Sequence, residues 1–446
     1  MMSGLNKEQK EAVGLLSIGT FLEYFDLMLY VHMAVLLNDL FFSTSDPSRA
    51  SFLSALAFCS TFVFRPIGAL VIGRIGDHYG RKVTVIITTF MMSICCITMA
   101  NLPTYEQIGI AAAWVVTICR IIQGMSSMEE VVGAELYLTE SIPLPARYPV
   151  VTSITIFSAL GGSAALGIAT LTTMYGWNWR MAFWVGAGVA LIGSVARTAL
   201  RETPEFVDAK RQLKKELSGA LDKGYVNEQK LKNNIIWNKK INPKTALAYF
   251  LIQCARPVCF YFTYIYCGNV LKTLFNYTSE QIIRHSFMLS LIDLLGIIII
   301  TYLSSKIYPL KILRFKIVLF SIAILFVPYF LQNLTLPIHL FLLQSFIVLF
   351  AVDSSPAAAI FYKYFPVLKR FTYAGFMYAS SRAIIYIITS FGLVYLVEKY
   401  SNWGILIIMI PVVAGFSFAL SHFIKLEKEA GNYPEKLILS SEEETI

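Results

Sequence analysis

Long apolar runs of this sequence hold a small set of ionisable side chains: Glu23, Asp26, His32, Arg120, Glu129, Glu130, Glu135, Arg256, Asp293, Asp353 and Arg382. A charge held in hydrocarbon is expensive, so such groups face a bundle interior or a watery cavity. Helical phase sorts them. Gly19, Glu23, Asp26 and Tyr30 share one helical face, while His32 points the opposite way and reads as a packed or interfacial histidine. Two carboxylates three positions apart repel, so at least one must hold a proton or meet a cation. That is the chemistry of a proton carrier; a structural ion pair with a neighbouring helix is the plainer alternative. Arg120, Gln123, Ser127 and Glu130 share a face of another helix, with Glu129 on the far side. Arg120 cannot give up its proton and needs a partner. Glu130, ten positions on, is about 15 Å away along a helix. Glu23 or Asp26 is therefore the expected partner, released when a proton arrives, and Glu23, Asp26, Arg120 and Glu130 are the expected proton-coupling residues.

The later part of the chain offers binding chemistry. Arg256 precedes Pro257, Asp353 lies three before Pro356, and Tyr378, Arg382, Tyr386 and Thr389 form a helical stripe. Phe260, Tyr261, Phe262, Tyr264 and Tyr266 make one stretch aromatic. A zwitterion needs a cation for its carboxylate and ring faces for its ammonium. The expected substrate-binding residues are Tyr30, Arg120, Gln123, Arg256, Tyr264, Asp353, Tyr378 and Arg382. Packing and interface anchoring are the competing reading of the aromatics. Neither G-x-S-x-G nor H-E-x-x-H occurs, so no enzyme, metal or cofactor is expected. None of the seven cysteines has zinc-site or disulfide spacing, and they read as free apolar residues.

The elements that must carry these groups follow from composition. Of 446 residues, 56% are hydrophobic and only 15% charged, and mean hydropathy is +0.62. Such a chain is neither an ordinary soluble globule nor disordered. Runs apolar all round, as in Leu291 to Leu303, do not fit the alternating strands of an outer-membrane barrel. Apolar runs place spans near 12–37, 50–72, 83–100, 107–138, 149–173, 181–200, 245–269, 282–303, 315–331, 337–360, 371–397 and 403–424. The first is too long and too charged for a cleavable signal peptide. Counting Lys and Arg by side gives 28 against 5, which puts both termini in the cytoplasm. The net charge of +9 thus belongs to inward-facing loops and not to a nucleic-acid footprint. The expected organisation is an N-terminal six-helix bundle (1–200), a charged cytoplasmic linker (201–244), a C-terminal six-helix bundle (245–424) and a cytoplasmic tail (425–446). In that layout a ligand binds between the halves.

One loop is more specific. Gly73-Arg74-Ile75-Gly76-Asp77-His78-Tyr79-Gly80-Arg81-Lys82 offers glycines for a tight turn, an aspartate able to cap a helix or face its positive end, and a basic tether. Gly73, Asp77, Gly80, Arg81 and Lys82 match the signature between the second and third spans of the major facilitator superfamily, which the chain resembles. Other stretches resemble its metabolite:proton symporter branch, which includes proline/betaine, 2-oxoglutarate, citrate and shikimate carriers. They are Gly19, Glu23 and Asp26; Arg65, Pro66 and Gly68; Arg120, Gln123, Gly124, Ser126 and Glu130; Trp177, Trp179 and Arg180; and Arg201 to Pro204 with Phe206. The resemblance is strong over about residues 12–206 and weak beyond. Met125, Met128 and Glu129 depart from it, as do Ser304, Ser305 and Lys306 in the corresponding second-half loop.

The resemblance implies an all-α membrane protein of twelve transmembrane helices in two six-helix bundles, the major facilitator fold. It implies a monomeric bacterial inner-membrane carrier taking up a small zwitterionic or organic-acid metabolite with protons. A proline/betaine-like osmolyte is favoured, and a mono- or dicarboxylate such as 2-oxoglutarate is the alternative. A span-1 carboxylate or Glu130 would be protonated outside, and the loop around Asp77 would latch the outward-open state. The short polar tail has no room for the long coiled coil of some osmosensing members. A non-transporting membrane sensor is the reading from another class.

Overall fold

The computed structural model describes residues 5–42, 60–174, 178–197 and 241–434. Most of the expected linker and tail, and the Arg201 to Phe206 element, lie outside the described residues.

Every element among the described residues is a helix. The first half contains α1 (Lys7–Phe41), α2 (Arg65–Tyr79), α3 (Arg81–Asn101), α4 (Ile110–Ser141), α5 (Arg147–Met174) and α6 (Arg180–Arg197). The second contains α7 (Pro243–Leu274), α8 (Ser279–Leu303), α9 (Pro309–Gln332), α10 (Pro337–Tyr362), α11 (Arg370–Ile387, continuing as Leu393–Tyr400) and α12 (Gly404–Glu429). Each expected span has its helix. Among the described residues seven stretches are apolar and long enough to cross a membrane by length and composition alone. Trp114, Phe326 and Phe418, each more than 60% exposed, turn outward as a lipid-facing surface requires.

Three second-half helices are irregular for local reasons. α7 passes through a π-helical turn at Tyr261–Tyr266, and α11 through another at Ile388–Gly392; such turns insert one extra residue and often mark functional sites. α10 loses its helix at residues 351–354 and resumes through a 3₁₀ turn at Ser355–Ala357. Pro356 supplies no N–H and disfavours helix at the residue before it. The Ser355 N–H donates instead to the Asp353 carboxylate at 2.8 Å, so this backbone stays bonded at membrane depth.

Within the first half α1 packs on α5, α4 and α6, and α3 on α6 and α4; in the second, α7 packs on α12 and α11, and α9 on α12. The α2–α4 crossing needs glycine: a Cβ on Gly68 would stand 2.7 Å from Met125 Cα, and one on Gly124 would overlap the Thr61 carbonyl. The halves meet mainly through α2 against α11 and α5 against α8. α2 and α8 are second in their halves, and α5 and α11 fifth. Exchanging the halves therefore maps one interface onto the other, as a pseudo-two-fold axis requires.

Three boundaries differ from expectation. α2 runs on to Tyr79, through most of the expected loop 73–82, and the turn is confined to Gly80. α9 starts at Pro309 rather than near 315, because proline favours the first turn of a helix. Lys316, at the very edge of the expected span, is consequently two turns inside and 4% exposed. α12 continues to Glu429, past the expected end at 424. Its Glu427 is fully buried, accepts hydrogen bonds from the hydroxyls of Tyr308 (2.6 Å) and Tyr364, and pairs with Lys363 Nζ at 2.6 Å. The first residues of the expected tail thus anchor the bundle. Outside the spans, burial and the Glu427 carboxylate hold the Tyr364 hydroxyl above the usual phenol range.

Candidate functional site: a charged cavity and a bonded gate

A cavity of ≈ 150 Å³ lies between the halves. The first half contributes Tyr24, Phe62, Arg65 and Glu135, and the second contributes Arg256, Tyr264, Asp293, Asp353, Tyr378, Arg382 and Tyr386. The irregular turns of α7 and α10 place Tyr264 and Asp353 on its wall.

Cations and rings are interleaved. The Arg382 guanidinium carbon stands 3.2 Å from the centre of the Tyr378 ring, and that of Arg65 stands 4.5 Å from the Phe62 ring. Phe62 and Tyr386 join across the halves with centroids 4.1 Å apart. Arg65 is buried, and its Nε and Nη2 have no hydrogen-bond partner among the described residues. On the second-half wall Arg256 Nη2 donates to Asp293 Oδ2 at 3.2 Å. Its Nη1 lies 3.6 Å from Asp353 Oδ2, which also meets Lys316 Nζ at 3.4 Å. Ser355 donates to the other Asp353 oxygen through both N and Oγ. Glu135 accepts a 2.6 Å bond from the Tyr362 hydroxyl of the opposite half. Arg65, Arg256, Arg382 and Lys316 stand against Glu135, Asp293 and Asp353, a formal excess of one positive charge.

Of the expected substrate residues, the structure brings Arg256, Tyr264, Asp353, Tyr378 and Arg382 together in this cavity. It does not bring Tyr30, Arg120 or Gln123 there. Arg120 is fully buried in the first bundle, donates to Gln123 Oε1 at 3.1 Å and has its guanidinium 4.1 Å from the Tyr30 ring centre. No ion pair joins it to Glu23 or Asp26 among the described residues, so the expected pairing is corrected to a hydrogen bond plus a cation–π contact. Asp26 is buried against α6, where a Cβ on Gly186 would strike its carboxylate. The physical reason is rotational. The α1 face with Asp26 and Tyr30 turns into its own bundle, and the neighbouring face, with Tyr24, Leu27 and Met28, lines the cavity. Glu23 is likewise 4% exposed and is not on the cavity wall. The side chains of His32, Glu129, Glu130, Arg81 and Lys82 lie outside the described residues.

Sequence reasoning noted Glu135 and Asp293 as intramembrane charges without giving them a role, and read Arg65 only as part of a motif. Lys316 was missed because its helix starts early. Tyr24 carried no sequence signal beyond its place beside Glu23.

The gate residues gather at the end of the molecule where α2 turns into α3. Gly80 turns the chain from α2 to α3 with φ 112°, a conformation suited to glycine. Asp77 Oδ2 accepts from both N and Oγ1 of Thr372, the backbone bond being 3.0 Å. Thr372 lies in the first turn of α11, whose own N-cap residue, Lys369, makes no side-chain cap bond. Asp77 therefore caps a helix of the other half. A Cβ on Gly73 would come within 2.9 Å of Thr372 Cα, and one on Gly76 within 2.8 Å of the Phe371 ring; the signature glycines let α2 reach α11. Arg370 pairs with Glu140 at 3.1 Å, both buried. Thr152 Oγ1 reaches the Ser355 carbonyl at 3.2 Å. These bonds close this end.

Two helical bundles around a charged central cavity, bonded shut at one end, have the build of an alternating-access carrier. The family model of the Major Facilitator Superfamily matches residues 16–390, and the chain belongs to that superfamily, as a multi-pass membrane transporter. It is 33% identical to the proline/betaine transporter of Escherichia coli (strain K12) over 204 residues, 44% of this chain and 41% of that protein. Identity to the proline/betaine transporter of Salmonella typhimurium (strain LT2) is 32% over a stretch of the same length and coverage. The match thus spans less than half the length of these relatives. Among solved structures, the proton:xylose symporter XylE bound to 6-bromo-6-deoxy-D-glucose superposes with a TM-score of 0.72 at 16% identity, covering 94% of this chain and 95% of that one. The human organic anion transporter MFSD10 gives 0.65 at 13% identity, covering 94% and 100%. Both share the fold.

Proposed function

We propose that this transporter takes up a small zwitterionic or organic-acid metabolite driven by protons, with a proline- or betaine-like osmolyte as the favoured substrate. The observation that carries the reading is the cavity, where guanidinium groups, carboxylates and aromatic faces stand together between the halves. A substrate carboxylate takes Arg65, Arg382 or Arg256, and an ammonium takes the faces of Tyr24, Tyr378 and Tyr386 with Glu135 behind them. Identity to proline/betaine transporters over under half of the chain supports the same substrate class. The excess of positive charge, with Arg65 and Arg382 both at the cavity, favours a second reading, a mono- or dicarboxylate such as 2-oxoglutarate.

The carrier sits in a bacterial inner membrane with both termini cytoplasmic and works as a monomer, each chain having its own cavity. The bonds around Asp77 and Arg370 hold the cytoplasmic side shut, and substrate binding from outside lets the halves rock. Counterflow of labelled proline, betaine and 2-oxoglutarate in proteoliposomes, with and without a pH gradient, tests this. Accumulation of one solute that grows with the gradient is expected. No exchange of any of them would defeat the reading and favour the sensor.

A further inference from the structure

The geometry points to Asp293 as the proton acceptor of the transport cycle, coupled to substrate because the substrate's carboxylate and Asp293 compete for one guanidinium, that of Arg256. This rests on the function proposed above and supplies its coupling step.

The two aspartates around Arg256 are held differently. Asp353 keeps Lys316 at 3.4 Å and two donors from Ser355, whatever Arg256 does. Asp293 has one bond among the described residues, the 3.2 Å contact with Arg256 Nη2. Arg256 is also the most open member, its side chain 36% exposed against 14% for Asp293 and 8% for Asp353. An incoming carboxylate meets the guanidinium first and takes the Nη2 hydrogen bond from Asp293.

A carboxylate left in this cavity wall without its cation is costly. Asp293 then binds a proton from the outside solution. Charge balances in both states. Without substrate, Arg256 and Lys316 offset Asp293 and Asp353. With substrate, they offset Asp353 and the substrate's carboxylate, while Asp293 is neutral. On inward release Arg256 returns to Asp293, and the proton leaves with the substrate.

The other groups facing Asp293 do not substitute for Arg256. α7 adds Tyr264, α10 adds Asp353, and Lys316 of α9 is committed to Asp353. α5, packed along α8, has ionisable residues only at its start, Arg147 and Tyr148, and meets this region through Ser163, which donates to the Ser290 carbonyl. Across the cavity α1 presents Tyr24.

The test uses the full chain in lipid and whichever of proline, betaine or 2-oxoglutarate the wild type exchanges. Adding that solute should produce uptake of about one proton per molecule bound, read with a pH indicator in weak buffer. It should also produce the infrared C=O stretch of a newly protonated carboxyl. Aspartate labelled with heavy carbon should shift the band, and Asp26→Asn should leave it. Asp293→Asn should lose both the proton uptake and the band, together with accumulation driven by a pH gradient. A wild type that exchanges substrate without proton uptake overturns the inference, as does a band that ignores labelled aspartate, disappears in Asp26→Asn or survives in Asp293→Asn. The wild-type and Asp26→Asn spectra decide even if Asp293→Asn does not fold. Absence of counterflow by the wild type would instead defeat the proposed function.

Discussion

The cap that Asp77 places on α11 gives the sharpest prediction for the gate. Asp77→Ala removes the two hydrogen bonds that Thr372 donates to its carboxylate. Hydrogen bonds to charged groups contribute about 1.5–3 kcal/mol each. They share one residue and are not additive, so the pair stabilises the closed end by about 2–3 kcal/mol. At 1.4 kcal/mol per factor of ten, the closed-to-open ratio falls roughly 30- to 150-fold. Asp77→Asn keeps an acceptor and loses the charge that faces the helix end, about 1 kcal/mol, or roughly fivefold. Spin labels at Tyr79, which is 71% exposed, and at Lys306, also exposed, report the separation of the halves at this end. The distance distribution should gain a longer component in Asp77→Asn and a larger one in Asp77→Ala, with turnover changed more than substrate affinity. Distributions that superimpose on the wild type's, or a loss of affinity alone, would refute the gate assignment.

Three further outcomes are expected. Glu140→Gln removes one charge of the buried Arg370–Glu140 pair and should cost about 3–5 kcal/mol in the closed state, while exchanging the two residues should recover most of it; thermal melts in detergent with the same label pair measure both. Gly124→Val drives a side chain into the Thr61 carbonyl and should depress the melting temperature, whereas Gly14→Ala, with nothing within 4 Å of its Cβ, should not. Truncation before Glu427 removes the acceptor of Tyr308, Tyr364 and Lys363 and should lower the melting temperature of the bundle.

The helices were legible in the sequence because a spanning helix needs about 20 apolar residues, a signal that loops interrupt cleanly. The glycines of 73–82 were legible because they answer a contact that leaves no room for a side chain, but not their helix, which runs on to Tyr79. Asp77 was read as a cap without the identity of the helix it caps, which lies 295 positions away. The cavity was half legible. Periodicity says which residues share a face and nothing about what that face meets. In an apolar chain the polar stripe of α1 fits the interior of its own bundle as well as the space between bundles. Glu23, Asp26 and Arg120 were therefore given the partners of a central site, while Tyr24, one position from Glu23, lines it. Arg256, Tyr378 and Arg382 line the wall because their stripes belong to α7 and α11, whose faces do meet the other half. Lys316 was hidden by a helix start set by Pro309.

The gate also sets an order of assembly. Glu135, Glu140 and Asp77 find their bonds to Tyr362, Arg370 and Thr372 at separations of 227, 230 and 295 residues. A ribosome adding about 5–20 residues per second makes those partners roughly ten seconds to a minute later. For that interval the first bundle sits in the membrane with three acidic side chains whose cations, hydroxyls and amides have not been made. All three gather on the face that the second half will cover. While they wait in water they keep that face from closing on lipid or on another half-made chain, and the arriving α10 and α11 supply the donors that turn a solubilising edge into an internal seam.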